Sequence, residues 1–214
     1  MFKNREDAAR QLVNKLGAYA NLRPLVLAIP RGAVPMGKII AEALNGELDV
    51  VLVRKLRSPD SAEFAIGAID EAGRTYIDDH ARRDYDGHSP ANQAWLAAER
   101  NTQLALLRQR RQQLAGVRPP LSPRGRVVIV VDDGLATGST MIAALKTLRL
   151  QAPHSLICAV PAAPKDTLER VRPYADKVVC LTTPNPFYAV GNCYQSFPQV
   201  TDEEVLALLG AQLA

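Results

Sequence analysis

An α/β fold, a twisted parallel sheet flanked by helices, is what three features of this 214-residue sequence predict. Uninterrupted branched apolar runs, "LVLAI" at 25–29 and "VVIVV" at 127–131, read as strands buried on both faces. A loop and then a helical pattern follow each of them, at 34–44 and 139–148. No apolar run exceeds strand length, far short of the roughly 20 residues a membrane-crossing helix needs.

Taken in order, "MFKNREDAARQLVNKL" is amphipathic and reads as a first helix capped by Asn4, with Leu12, Val13 and Leu16 facing inward. Its mixed charges match neither a signal peptide nor a transit peptide, so the expected location is cytoplasmic. A second core strand is predicted at 50–53. "AIGAIDEAGRTYID" then reads as a hairpin turning at 70–73. A long helix over 92–114 places Leu96, Leu107 and Leu114 on one face, with Leu104 at its edge and the arginines elsewhere. After a linker, "RPPLSPRG", come the strand at 127–131, the helix at 139–148, strands at 156–160 and 178–181, and a helix between them at 165–171. The whole of 1–214 reads as one domain, with 80–122 as a helical basic insertion.

Charge marks that insertion. Residues 80–126 hold nine arginines against three acids, so +6 resides there and −2 in the rest of a chain whose total is +4. No DNA-binding motif accompanies the arginines, and a homodimer interface or a solvated helix is the expected reading. The three cysteines lack metal-ligand spacing and act as small apolar residues of a reduced protein. His80, His88 and His154 form no constellation.

The stretch "VVIVVDDGLATGSTM" carries the chemistry. Ala136, Thr137, Gly138, Ser139 and Thr140 precede a helix, so backbone N–H groups, hydroxyls and the positive end of a helix dipole converge as a phosphomonoester cradle. Asp132 and Asp133, at the strand end, can accept hydrogen bonds from vicinal hydroxyls or hold Mg²⁺ through water. A sugar phosphate satisfies both halves. "GAVPMGK" has the G-x-x-x-x-G-K spacing of a nucleotide-binding P-loop. However, Ile39 stands where a hydroxyl is required and Pro35 removes an N–H, so a P-loop enzyme is the weaker alternative.

On these residues the chain resembles the type I phosphoribosyltransferases, whose signature for 5-phosphoribosyl 1-diphosphate (PRPP) is an apolar strand, two acids and T-G-x-T. Gly134 departs from the usual aliphatic residue. The resemblance implies that fold, transfer of a 5-phosphoribosyl group from PRPP to a nitrogenous acceptor such as a nucleobase, release of pyrophosphate, and Mg²⁺ held indirectly by Asp132 and Asp133. It implies that "IPRGAVP" supplies the pyrophosphate loop through Arg31 and Gly32, with a cis peptide expected at Arg31–Gly32. "VRKLRSP" leads into the stretch where the family carries its catalytic loop, which makes Lys55, Arg57 and Glu63 the catalytic candidates. "TTPNPFYAVGNCYQSF" resembles the hood, at 182–200, with Phe187 and Tyr188 as base-stacking candidates. Ala136 replaces the aspartate that faces the base in hypoxanthine-guanine enzymes, so the acceptor stays open. A non-catalytic PRPP-binding sensor is the alternative the resemblance allows.

Overall fold

The computed structural model describes residues 1–58, 61–78, 89–115 and 119–210, and for 61–65 and 115 the backbone alone. Helix α1 (Arg5–Leu16) starts where the Asn4 side chain accepts the Asp7 amide at 2.9 Å, and it buries Leu12 and Leu16 completely. β1 (Leu25–Ala28), β2 (Glu47–Val50), β6 (Val127–Val131), β7 (Ser155–Ala162) and β8 (Lys177–Thr182) form a five-stranded sheet in the order β2-β1-β6-β7-β8, every pair parallel. The fold is thus α/β with a parallel sheet, as the apolar runs predict.

Alternation along these strands fills two cores. Val26, Ala28, Ile129, Val131 and Ile157 pack on one face with α1 and α2 (Val34–Ala43). Leu25, Leu27, Val128, Val130 and Leu156 pack on the other with α4 (Ser139–Arg149) and α5 (Lys165–Val171). Each face has its own helical cover, so a strand can be apolar at every position. Cys158 and Cys180 lie in β7 and β8, and all three cysteines are free.

The predicted strand at 50–53 is corrected by the structure. Val50 ends β2, and Val53 begins β3 (Val53–Ser58), which leaves the parallel sheet and pairs antiparallel with β4 (Ser61–Asp70); β5 (Thr75–Ile77) completes this second sheet. Val51 and Leu52 form the step between sheets, and both are buried, so hydropathy alone reads straight through it. The hairpin at 70–73 does form, with the Gly73 amide donating to the Asp70 carbonyl at 3.0 Å.

α3 (Pro90–Ala115) buries Leu96, Leu107 and Leu114, with Leu104 partly buried, and packs beside α6 (Asp202–Gly210). The expectation that the arginines avoid its buried face fails at Arg111. That residue lies four after Leu107 and three before Leu114, on the same face, and is 7% exposed. Its guanidinium bonds Asp49 Oδ1 at 2.7 Å, both Glu71 carboxylate oxygens at 2.5 Å and the Val50 carbonyl at 3.2 Å. Asp49 also accepts the Leu121 amide at 2.8 Å, so the linker is tied to the sheet edge through the same acid. His80 and His88 lie outside the described residues; His154 is exposed.

Candidate active site

The strand order reverses between β1 and β6, and in open α/β sheets ligands bind beyond the carboxyl ends of strands at such a reversal. Two loops meet there: 29–33 after β1, and 132–138 after β6. Their approach is close. A Cβ added to Gly32 would stand 2.0 Å from Asp133 Oδ2, so only glycine lets the first loop lie against the second acid. The cis peptide falls at Pro30–Arg31, one residue before the expected Arg31–Gly32. The Arg31 carbonyl already accepts the Val34 amide at 3.0 Å, so the Arg31–Gly32 peptide belongs to the turn into α2, and the chain reverses ahead of it.

Asp132 and Asp133 are both partly buried. Burial, and then the neighbouring charge of Asp133, push the Asp132 carboxyl well above the usual range, although its Oδ1 accepts the Asp133 amide at 2.9 Å. Burial also raises Asp133, against the pull of Arg5, whose Nε donates to Asp133 Oδ2 at 2.9 Å. The hydroxyl of Tyr194 donates to the Asp133 carbonyl at 2.6 Å. Two adjacent acids whose charged forms are disfavoured are poised for a cation or for hydroxyl donors.

Beyond them the chain bends at Gly134, where a Cβ would meet Val190 Cγ1 at 2.6 Å; this explains why the usual aliphatic residue is absent. Gly138, at φ +70°, caps α4 without a side-chain bond of its own, and the Ser139 amide in the first turn makes a long contact of 3.5 Å to Thr137 Oγ1. Thr137 and Ser139 hydroxyls lie 3.1 Å apart, and Ala136 and Thr140 are exposed. α5 braces this loop from behind: Thr167 donates to the Ala136 carbonyl at 2.8 Å and Arg170 to the Thr137 carbonyl at 3.0 Å.

Lys55 and Arg57 lie on strand β3, where a catalytic loop was expected, and share a cleft of about 240 Å³ with Arg54, Gln103 and Thr140. The structure therefore brings these two cations beside Thr140, at the start of α4. Glu63 falls in β4 and its side chain lies outside the described residues. Arg31 points its guanidinium to Asp202, 3.5 Å away on α6. Phe187 packs against the core and lines a cleft of about 800 Å³ with Ala136, Thr137, Lys165 and Arg170. Tyr188 is 81% exposed and lines a second cleft, of about 340 Å³, together with Phe187, Phe2 and Thr182.

Arg5, Arg170, Lys165 and Tyr194 are site neighbours that sequence reasoning does not reach. Arg5 and Lys165, each the first residue of its helix, left a signal. A cation in the first turn of a helix opposes the dipole, whereas Glu6 and Asp7 obey it. Arg170, in the last turn of α5, obeys the rule and so gives nothing away.

A parallel sheet whose strand order reverses where an acid pair, a small-residue loop at a helix start and a glycine loop meet has the arrangement in which open α/β folds bind ligands. The chain belongs to the phosphoribosyl transferase domain family, whose profile matches residues 1–196. Proteins of two Mycobacterium tuberculosis strains, provisionally named phosphoribosyl transferases, are each 39% identical to it over 209 residues, 98% of this chain but 46% of their own length. The chain thus spans about half the length of these curated relatives. The crystal structure of TT1426 from Thermus thermophilus matches with a TM-score of 0.87 and 40% sequence identity, covering 97% of both chains. The fold is that of the type I phosphoribosyltransferases. Among the described residues no helix is long and apolar enough to cross a membrane.

Proposed function

We propose that this chain, as a single domain, transfers the 5-phosphoribosyl group of PRPP to a nitrogenous acceptor, a nucleobase first among them, and releases diphosphate. The observation that carries this reading is the meeting of Gly32 with Asp133 at the switch point. It sets a loop suited to diphosphate against the acids suited to ribose, beside the uncapped start of α4. The amides and hydroxyls of Ala136–Thr140 take the 5′-phosphate. Asp132 and Asp133 accept the ribose hydroxyls. Lys55 and Arg57 gather on the departing diphosphate, and Phe187 offers its ring to the acceptor while Tyr188 edges the hood.

Mg²⁺ fits the same acids. Among the described residues no three His, Cys, Asp or Glu side chains converge, so the two carboxylates would hold it through water, with PRPP oxygens filling its shell. When bound, the ion neutralises diphosphate charge. The protein's own part is positioning and charge stabilisation, which suits a site built from amides and fixed ions. A cytoplasmic homodimer without nucleic-acid contacts completes the reading.

The test is diphosphate release from PRPP across a panel of purine and pyrimidine bases. Release with one base identifies the acceptor. Tight PRPP binding with no release for any base would instead support a non-catalytic PRPP sensor. Phe187→Ala should weaken the acceptor's KM and spare PRPP, and equal loss of both would remove Phe187 from the acceptor site.

A further inference from the structure

Asp133 is held in one orientation by groups from three parts of the chain. Arg5 Nε and Nη2 lie 2.9 and 2.8 Å from its Oδ2, with the two side chains only 10% and 16% exposed. The remaining edge of the guanidinium donates through Nη1 to the Pro198 carbonyl at 2.6 Å, and its face covers the Phe197 ring at 3.7 Å. Phe197 stacks on Tyr194, 4.8 Å between centroids, and the Tyr194 hydroxyl returns to the Asp133 carbonyl. The segment 194–198 therefore grips the same aspartate twice, through its backbone and through Arg5. Gly32 sets the carboxylate orientation independently, since any side chain there would strike Oδ2. Arg5 gains nothing from its own helix, where it opposes the dipole, so its position is explained by Asp133 and the hood.

We infer that Arg5 is the positioning residue of the ribose subsite: it fixes Asp133 as the acceptor for a ribose hydroxyl and couples that acceptor to the hood segment 194–198. The inference rests on the phosphoribosyl reading above. Arg5 touches no substrate in this scheme. It acts by holding one carboxylate against Gly32, and leaves the phosphate loop, on the far side of Gly134, untouched.

Calorimetry with two probes separates this from a general structural role. Ribose 5-phosphate engages both subsites; inorganic phosphate engages only the loop. Arg5→Met should lower ribose 5-phosphate affinity at least about tenfold, the scale of losing one charge-supported hydrogen bond, with phosphate affinity unchanged. In an Asp133→Asn background the same change should add no further loss. Should Arg5→Met fail to fold, Arg5→Lys carries the test, because lysine keeps the charge but loses the two-nitrogen grip; a smaller, still ribose-selective loss is expected. Parallel loss for both probes, no loss for ribose 5-phosphate, or additive losses with Asp133→Asn would overturn the inference. A wild-type chain that binds phosphate but not ribose 5-phosphate would overturn the phosphoribosyl reading itself.

Discussion

Two buried arginines hold acids at different edges of the molecule, and the difference between them separates architecture from site. Arg111 is enclosed by Asp49, Glu71 and the Val50 carbonyl, and every acid it meets is committed to it. Arg5 meets a single acid, Asp133, besides the Pro198 carbonyl and the Phe197 ring, and beside that pair Asp132 has no cation of its own among the described contacts. Burial pushes Glu71 up as it does Asp132, but Glu71 has a guanidinium to offset the cost and Asp132 has another aspartate. A closed network ties elements together. An unbalanced one carries a cost that a cation or hydroxyl donors would offset.

The largest effect expected from this contrast is at Arg111. Arg111→Met would leave Asp49, 1% exposed, without its cation and would release α3 and the 119–123 linker from the sheet edge. A loss of about 3–5 kcal/mol in urea unfolding follows from breaking one partner out of a buried ion network. A change below about 1 kcal/mol, the level of an exposed pair, would show that the network is solvated and the contrast false.

At Asp132 the sign reverses. Its raised proton affinity means that the charged form is disfavoured by folding. That cost is absent below the ordinary carboxylate value of 3.8, grows as pH rises from there toward the raised folded-state value, and is constant above it. Asp132→Asn should therefore stabilise the ligand-free chain near neutrality, on the order of 1 kcal/mol, while ribose 5-phosphate affinity falls. The gain should shrink as pH is lowered toward that value. Thermal melts across pH check it, and destabilisation at neutral pH would place Asp132 with the structural acids instead.

The same contrast explains what the sequence made legible. The five-stranded sheet was readable because its central strands are buried on both faces, and the small-residue loop after β6 because its glycine and hydroxyls sit together in the chain. Residues that act across the fold carried no such pattern. Arg111 reads as one arginine among nine in a basic segment, and its burial depends on acids about 40 and 60 residues away. Arg5 stands 128 residues from its partner, marked only by its misfit with the helix dipole. The step from β2 to β3 was hidden because Val51 and Leu52 are as apolar as the strand they interrupt. Ala136 leaves the acceptor unnamed, since a methyl group at that position offers the base no hydrogen bond.

A third arginine–aspartate assembly supplies the control. Arg110 grips Asp202 with two nitrogens, at 2.7 and 2.8 Å, and Arg31 approaches the same acid at 3.5 Å, yet all three side chains are about one-third exposed. Geometry here matches the buried pairs; only solvent differs. Arg110 first, with Arg31 adding to it, holds the Asp202 carboxyl below the usual range, so the pair is intact at neutral pH and lost as pH falls through that lowered value. Water already solvates each partner, and ordering two long side chains offsets most of what their attraction returns. Asp202→Asn should leave the melting temperature unchanged at physiological salt, the smallest effect of the three. If it instead destabilised the chain as Arg111→Met is expected to, hydrogen-bond geometry rather than burial would be setting the worth of these pairs, and the distinction between the closed network at Arg111 and the open one at Arg5 would lose its physical basis.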